Sequence, residues 1–506
     1  MLDFVLPLYG HPWTTALAVV FVYLSVKGYV RRRMTWVDVP AVGPTGILTS
    51  YLGAIRYFRK GDEVLQEGYD KYSKGGIFKV PDFSKWTVIV SSSELLEELR
   101  KAPDDQLSFE DAMNDMLQLE WAMGREIIHN NYHLPLFRTH FTRDLGVMYP
   151  DIIDEIGAAF SDRISPQADE WISVKTLDTM QTIIARCANR TFVGLPLCRD
   201  QAFLDLNTGY AVDVVAGAEA IRLFPNFLKP LVARLYTPAE STAKKVTQML
   251  RPVIEERLAQ IKDEGKSYVN KPVDFLSLLL DYAEGQEREP ENLAKRVLSI
   301  SFAAISSTSM TFAQVVFFLA SMPEYAAQLR EEVESVTAEE GWTQEALSKC
   351  YKIDSFVKEC QRFRGAGLTS SMRMAVNDYT FSNGTVIPKG TFVTTLSVIR
   401  HKDPRFYGET AKEFDGFRFS KMRENGESIG QHQAVSIGTD FLPYGIGRHA
   451  CPGRFFAALM MKSMLAHIVL NYDIKMVSGK MPESHYLNSW CIPDASAEVM
   501  FRKRRK

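Results

Sequence analysis

The sequence predicts a mainly α-helical protein with small β-sheets, preceded by one N-terminal transmembrane helix. Apolar residues recur at helical spacing through most of the stretch from residue 94 to residue 336. Short strand-like runs lie at residues 77–80 and 86–91 and between residues 379 and 393. A mainly apolar segment, Trp13 to Val30, comes before all of these. The chain therefore separates into a membrane segment and a folded, mostly helical part.

The apolar segment is close to the ~20 residues that a helix needs to cross a bilayer. Arg31, Arg32 and Arg33 follow it at once, and basic residues favour the cytosolic side of a membrane. A cleaved signal peptide would carry its charges before the apolar run instead of after it. We therefore expect residues 1–33 to anchor the protein, with the N-terminus in the lumen and the rest of the chain in the cytosol.

Residues 34–50 contain Pro40 and Pro44, which predict a stiff, non-helical hinge after the anchor. Residues 51–506 show no convincing linker, repeat or low-complexity stretch, so we expect one large folded domain. The net charge of −2 gives no support for nucleic-acid binding. The six cysteines show no paired metal-ligand spacing and suggest no disulfide framework, which fits a reducing compartment.

The segment from Glu291 to Met322 is apolar on more than one side, which predicts a long buried helix. Its middle, residues 303–309, is a run of small and hydroxylic side chains. Hydroxyls inside a helix can bond back to carbonyl groups, and they often accompany bends or inserted water. Taken alone, this run is equally typical of a place where two helices pack closely.

A second helical pattern covers residues 353–363 and contains Glu359 and Arg362, three residues apart on one face. Surface helices carry many such pairs, so this pair alone does not identify a functional site.

Cys451 lies in a glycine-rich loop that precedes another predicted helix, residues 454–472. Gly445 and Gly447 let the backbone pass close to a flat ligand, and Pro452 suits the first turn of a helix. Both a helix N-terminus and the amide groups of the loop should favour a thiolate over a thiol. Such a thiolate is suited to a soft or borderline metal, and haem iron takes this ligand in one enzyme class. A buried structural cysteine is the alternative.

This loop resembles the haem-binding segment of the cytochrome P-450 superfamily, and the chain as a whole resembles its fungal, membrane-anchored members. The positions that match the family pattern are Tyr444, Gly447, His449, Cys451 and Gly453. Tyr444 stands where the family usually has Phe, and His449 stands where Arg is more common. A contact from His449 to a haem propionate would carry full charge only at low pH.

The resemblance implies the cytochrome P-450 fold and haem b, with the Cys451 thiolate as axial ligand of the iron. It implies that further side chains near the haem are His449, Arg373, Arg125 and Trp121. It also implies that Arg418 joins Glu359 and Arg362 in a buried ion triad, which folds the loop that carries the cysteine. Residues 51–506 would then form the haem-thiolate catalytic domain.

The family pattern in the long helix is a small residue, Gly, any residue, an acid and Thr. In this chain Ser306 takes the position of the acid and Ser307 that of the Thr. Proton delivery to bound oxygen would then have to use hydroxyl groups and water. Ser307 is the first candidate for that role, with Thr308 or Thr311 as alternates.

The activity implied by the resemblance is that of a monooxygenase, which inserts one oxygen atom from O2 into a small lipophilic substrate such as a terpenoid, steroid or related secondary metabolite. The chain shows no flavin or dinucleotide module. Electrons would therefore come from NADPH through a separate flavoprotein reductase on the same membrane, the endoplasmic reticulum. The proline-broken apolar stretch at residues 223–231, with Phe224 and Phe227, is expected to contact membrane lipid and to admit substrate.

Two alternatives stay open. One is a haem-thiolate isomerase or dehydratase that does not use O2, which the missing acid at Ser306 keeps in play. The other is a non-enzymatic, membrane-anchored haem-binding protein, which the presence of Glu359, Arg362, Arg418 and Cys451 argues against.

Overall fold

The structure, a computed structural model, describes residues 26–46, 48–166, 169–222, 224–236, 238–426 and 428–505. Most of the predicted transmembrane segment, up to residue 25, lies outside the described residues. The described chain is mainly helical with small sheets, as the sequence predicted. It divides into two compact units, which we describe one at a time. Unit 1 comprises Met1–Met113, Leu368–Arg400 and Tyr486–Trp490, and unit 2 comprises Asn114–Gly367, His401–His485 and Cys491–Lys506.

Unit 1 is built on a five-stranded sheet. In spatial order its strands are Ile77–Pro81, Trp86–Val90, Phe392–Leu396, Thr369–Ala375 and Leu107–Ser108. The first two correspond to the predicted strand-like runs and pair antiparallel as a hairpin, in which Ile77 pairs with Val90. Its second and third strands pair in parallel, and its other neighbouring strands pair antiparallel. A separate short pair consists of Tyr379–Thr380 and Val386–Ile387.

The helices of unit 1 precede or flank this sheet. They are residues 26–34, Ser50–Arg59, Gly61–Tyr72, the 3-10 turn Ser73–Gly75 and Ser93–Lys101, and Phe109–Leu117 begins in this unit. Part of the predicted hinge is hydrogen-bonded to the sheet, because the Val42 N–H donates to the Lys79 carbonyl and the Lys79 N–H donates to the Pro40 carbonyl. Residues 40–42 therefore belong to the folded unit.

Unit 2 holds most of the helices. The first half of its chain forms Leu119–Ala122, Arg125–His129, His133–Leu136, a π-helical turn Phe137–Phe141, Leu145–Arg163, Thr176–Phe192, Leu197–Arg199, Gln201–Arg222, Lys229–Tyr236, Ala239–Glu264, Phe275–Tyr282 and Gly285–Arg288. The second half forms Pro290–Ser321, Glu324–Glu340, Gln344–Lys349, Tyr351–Phe363, Pro404–Tyr407, Glu409–Lys412, Arg418–Glu424, Ile429–His432, Gly447–His449 and Arg454–Asn471. A three-stranded sheet has Glu498–Lys503 between Ile172–Lys175 and Tyr472–Met476.

The predicted long helix is present as Pro290–Ser321, which we call the central helix. It starts with proline, whose missing N–H has no helical partner at that position in any case. It packs against the helices Thr176–Phe192 and Ala239–Glu264 of unit 2. Within the described residues it is the single helix long and apolar enough to span a bilayer, but 67% of its most apolar window is buried in the protein. Most of its apolar side chains therefore pack in the protein core.

Candidate active site

The loop before Cys451 is a tight turn held by its own backbone. Gly445 and Gly447 have φ values of 73° and 64°, in the left-handed region that glycine adopts without steric cost. The Cys451 N–H donates to the Tyr444 carbonyl at 2.7 Å. Gly453 then leads into the helix Arg454–Asn471. The chain thus places Cys451 just before a helix N-terminus, as its sequence predicted.

The sulfur of Cys451 differs in its surroundings from the other thiols. Five of the six cysteines are buried, and Cys451 is partly exposed. Burial of the sulfur raises the pKa of Cys451, while the amides of Gly453 and Arg454 and the charges of Arg454 and Arg138 lower it. The loop amides therefore favour the thiolate, as predicted, although burial of the sulfur is the larger effect and the pKa is raised overall. A cation bound to the sulfur would supply the missing stabilisation.

These surroundings fit a haem. A sulfur that receives two amide hydrogen bonds is the donor expected of a thiolate ligand to iron. A haem also needs accessible space, and two residues in the middle of the central helix are exposed. Ala303 and Ser307 are exposed there, although Ile305, Thr308 and Ser309 beside them are buried. One face of this largely buried helix is therefore accessible at Ala303 and Ser307.

The hydroxyl groups of the central helix bond back to its own carbonyls. Ser307 Oγ donates to the Ala303 carbonyl at 3.0 Å, and Thr311 Oγ1 donates to the Ser307 carbonyl at 2.9 Å. Of the three candidates for proton delivery, Ser307 lies on the exposed face, and Thr308 and Thr311 are buried. Ser306, at the position of the missing acid, is partly buried.

The structure brings Glu359, Arg362 and Arg418 together in the interior of unit 2. Both oxygens of Glu359 accept from the Arg362 guanidinium, at 2.6 and 2.7 Å, and the Arg418 Nε lies 3.3 Å from Glu359 Oε1. Glu359 and Arg362 are fully buried and Arg418 is nearly so. One carboxylate therefore pairs with two guanidinium groups away from water.

The same arginines hold the chain that runs from residue 401 to residue 418. Arg362 donates to the carbonyls of His401, Ala411 and Glu413 at 2.6–2.9 Å. Arg418 donates to the carbonyls of Thr410 and Glu413. The triad thus stabilises the fold of this segment, since its guanidinium groups donate to backbone carbonyls that would otherwise be buried without a hydrogen bond.

Two contacts continue from the triad helix Tyr351–Phe363 to the cysteine loop. His401 Nδ1 lies 3.3 Å from the Arg362 carbonyl, and its Nε2 accepts from the Leu442 N–H at 3.0 Å. This pattern fits a neutral imidazole with its proton on Nδ1. Gln361 Nε2 donates to the Tyr444 hydroxyl at 2.8 Å. The triad and the loop that carries Cys451 are therefore linked at both Leu442 and Tyr444.

The remaining predicted haem contacts have different surroundings. His449 ends the 3-10 turn Gly447–His449, with its Nε2 3.2 Å from Arg448 Nε. Arg373 lies in the sheet of unit 1, where it is buried and donates to the Met372 carbonyl at 2.7 Å. Their placement near the haem stays a prediction.

Trp121 and Arg125, whose placement near the haem stays a prediction, contact other groups in the structure. Trp121 packs against a small apolar cluster that includes Ile221 and Val232. The Arg125 side chain is 67% exposed and pairs with Glu120 at 3.0 Å. The structure thus gives Trp121 a packing role and Arg125 a surface ion pair.

Arg138 is a residue that the sequence reasoning missed. It lies in the π-helical turn Phe137–Phe141, and its charge lowers the pKa of Cys451. The Phe137 ring packs edge-on to Phe456 at 6.2 Å, and a Cβ added at Gly453 would lie 3.4 Å from it. This packing brings the turn to the start of the cysteine helix. In the sequence, the apolar residues Phe137 and Phe141 lie four positions apart, and this spacing is the pattern that could have indicated a buried helical segment here.

The chain matches a family model described as Cytochrome P-450 over residues 43–499. It is 38% identical to Cytochrome P-450 monooxygenase 151 of Postia placenta, over 92% of this chain and 94% of that protein. It is 33% identical to Cytochrome P-450 monooxygenase CYP512U6 of Ganoderma lucidum, over 96% and 95% of the two chains. It is 30% identical to Cytochrome P-450 monooxygenase olcJ of Penicillium canescens, over 97% and 92%.

Proposed function

The chain belongs to the cytochrome P-450 family, and from that premise we propose that it is a membrane-anchored monooxygenase that inserts one oxygen atom from O2 into a small lipophilic substrate. The family is the one predicted from the cysteine loop. Its members are oxidoreductases that use haem with a cysteine thiolate as iron ligand and receive electrons from a reductase. The names of the fungal relatives favour a monooxygenase over an isomerase, a dehydratase or a non-enzymatic protein.

The observation that carries this proposal is the set of donors around Cys451. We assign its sulfur as the ligand of the haem iron, with the amides of Gly453 and Arg454 stabilising the thiolate. Arg138 adds positive charge near the same sulfur. When bound, the haem supplies the oxygen-activating chemistry, and the protein supplies binding, orientation and a dry site.

The central helix would line the substrate space with Ala303 and Ser307. Because Ser306 replaces an acid, the exposed hydroxyl of Ser307 is the group best placed to pass a proton to a water molecule in that space. Its own proton is donated to the Ala303 carbonyl, so a relay would require the hydroxyl to turn from this carbonyl to the water molecule while an Oγ lone pair accepts the incoming proton. The lipophilic character of the substrate, a terpenoid, steroid or similar metabolite, rests on the family resemblance.

Membrane contact by residues 223–231 is supported for only part of the stretch. Phe227 is 80% exposed, whereas Phe224 packs against the cluster of Ile221 and Val232. Leu231 and Leu235 on the following helix are also exposed. We therefore propose Phe227 and the helix after it as the lipid-facing part, and Phe224 as packing. We also propose that an NADPH-dependent reductase on the endoplasmic reticulum membrane supplies the electrons.

The deciding experiment is the reduced, carbon-monoxide-bound difference spectrum of microsomes that contain the protein and its reductase. Wild type and Cys491→Ala, a control at a buried cysteine, should give a band at about 450 nm, and Cys451→Ala should lack it. Turnover of lipophilic compounds should require NADPH, reductase and O2. Haem-loaded wild type with a band only at about 420 nm would overturn the thiolate assignment. Turnover without NADPH would point to an isomerase or dehydratase instead.

A further inference from the structure

Gln314 is a polar side chain in the most apolar part of the central helix. Every other residue from Phe312 to Ala320 is apolar, and the whole run is buried. Gln314 itself is 2% exposed. Its amide oxygen Oε1 is buried and has no hydrogen-bond donor among the described residues. A buried amide oxygen without a donor destabilises a protein, so its presence in this run calls for a partner.

The nitrogen end of the same amide is bonded to a segment that reaches the surface. Gln314 Nε2 donates to Ser484 Oγ at 2.8 Å. Ser484 is partly exposed, and its neighbours Glu483 and His485 are exposed. Because the bond to Ser484 orients the amide, the oxygen end stays in the interior of unit 2. Gln314 therefore joins a buried acceptor to a hydroxyl group that solvent can reach.

Gln314 also continues the row of hydroxyl side chains that begins at Ser307. Ser307, Thr311 and Gln314 are separated by four and then three residues, which places them on one face of the helix. Ser307 is exposed, whereas Thr311 and Gln314 are buried. The row thus leads from the accessible middle of the central helix into the core, and Ser484 connects its buried end to the surface.

We propose that Gln314 Oε1 holds a water molecule beside Thr311, and that this water supplies the protons that Ser307 passes on. The inference rests on the proposed function, in which Ser307 delivers protons without an acid at position 306. Side chains three residues apart on a helix have Cβ atoms about 5–6 Å apart, a separation that one water molecule bridges with two hydrogen bonds. A buried water needs at least two polar partners, and the Gln314 oxygen and the Thr311 hydroxyl provide them.

The proton steps balance at every group. The water gives a proton to Thr311 Oγ1, whose own proton turns from the Ser307 carbonyl to the Ser307 hydroxyl. Ser307 turns its proton from the Ala303 carbonyl to the water molecule in the accessible space. Solvent returns a proton to the buried water through the Ser484 hydroxyl. Each group gives one proton and receives one, and no electrons move. The amide only holds the water, so Gln314 is a positioning residue.

The first test is for the water itself. In a crystal structure of the wild-type protein that resolves ordered core waters, density should appear within hydrogen-bond distance of both Gln314 Oε1 and Thr311 Oγ1. Gln314→Leu should lose this water. Gln314→Glu should keep it, since the protonated acid has an oxygen at the same place and can still donate to Ser484. A wild-type structure with no water at Oε1 would overturn the proposal.

The second test is for the proton route, in microsomes that contain the protein, its reductase, NADPH and O2. The measurement is the hydrogen peroxide released per O2 consumed, because oxygen that is reduced without reaching product or water leaves as hydrogen peroxide. Gln314→Leu should raise this ratio several-fold and change the solvent isotope effect on O2 uptake, and Gln314→Glu should restore both. Ser321→Ala is the matched control, because Ser321 Oγ donates to Met481 Sδ at 3.6 Å and so links the same helix to the same segment. It should keep the wild-type ratio.

The outcomes separate this route from packing and from the proposed function. An unchanged ratio and isotope effect in Gln314→Leu would overturn the route. An equal rise in Ser321→Ala would assign the effect to packing of the segment and would also overturn it. The reduced carbon-monoxide spectrum shows that each variant is folded and holds haem, and Gln314→Met replaces Gln314→Leu if that variant fails to fold. Wild type with a band at about 450 nm but no NADPH-dependent O2 uptake would contradict the proposed function, and the crystal density would still decide the water site.

Discussion

Gln361 donates a 2.8 Å hydrogen bond to the hydroxyl of Tyr444, and this bond joins the triad helix to the loop that carries Cys451. Tyr444 is also the residue whose carbonyl accepts from the Cys451 N–H. The hydroxyl that distinguishes Tyr444 from the Phe usual in the family therefore has a definite structural partner. Burial raises the pKa of Tyr444 well above its ordinary value, so the hydroxyl stays protonated.

The first prediction concerns this bond. Tyr444→Phe should lower the free energy of unfolding by about 1–3 kcal/mol, because it leaves a buried Gln361 amide without its acceptor. Gln361 Oε1 already lacks a hydrogen-bond partner in the described part of the chain. Urea unfolding of the haem-loaded protein gives the measurement.

The control is the double variant Tyr444→Phe with Gln361→Met, in which both partners are apolar. Its unfolding free energy should return close to that of wild type, since removing both partners of a hydrogen bond can be nearly neutral. A double variant that is less stable than Tyr444→Phe would show that Gln361 acts through other contacts.

The second prediction concerns the triad. Glu359→Gln should cost roughly 3–5 kcal/mol of stability, because it removes the counter-charge of two buried guanidinium groups. Most of the protein should then accumulate unfolded or without haem. Glu63→Gln is the matched control, since Glu63 forms an exposed pair with Lys60 at 2.8 Å and should cost less than about 1 kcal/mol. Similar losses of stability in the two variants would mean that the triad contributes no more to the fold than a surface ion pair does.

The third prediction separates Arg138 from Arg125. Arg138→Gln should reduce the fraction of protein with the band at about 450 nm, because it removes a charge that favours the Cys451 thiolate. Arg138 is exposed, so solvent screening limits the effect to about 1 kcal/mol. Arg125→Gln breaks a surface pair with Glu120 and should leave the spectrum unchanged. A loss of the band in Arg125→Gln would support the sequence-based assignment of Arg125 to the haem.

The features that could be predicted from sequence are those fixed by neighbours along the chain. The turn at Gly445 and Gly447, the helix after Gly453 and the hairpin at residues 77–90 depend on short-range spacing. The meeting of Glu359 and Arg362 with Arg418 spans a longer stretch of chain, and only the family resemblance indicated it.

The features that escaped prediction depend on tertiary packing. Arg138 comes close to Cys451 because Phe137 packs on Phe456, far along the chain. The raised pKa of Cys451 follows from burial, which a sequence motif does not report. A run of three arginines likewise cannot show that Arg32 turns inward onto Tyr51 while Arg33 stays exposed.

The last prediction concerns pH. His133 is buried, and its Nδ1 lies 2.9 Å from Arg296 Nη1, which donates to it. Burial and then the Arg296 charge lower the pKa of His133 to about 3. Arg296 itself is paired with Glu287 and lies over the Tyr132 ring. The imidazole is thus neutral in the folded protein and serves as an acceptor.

Because the unfolded pKa of histidine is about 6.5, the unfolded chain gains a proton between pH 6.5 and 3 that the folded protein does not. This contribution to stability is therefore complete above pH 6.5 and is lost as the pH falls, at about 1.4 kcal/mol per unit. His133→Gln keeps an acceptor without a titrating group, so its unfolding free energy should fall less than that of wild type between pH 7 and about pH 5.5. Urea unfolding at both pH values tests this, and identical losses in the two proteins would mean that His133 does not titrate with unfolding.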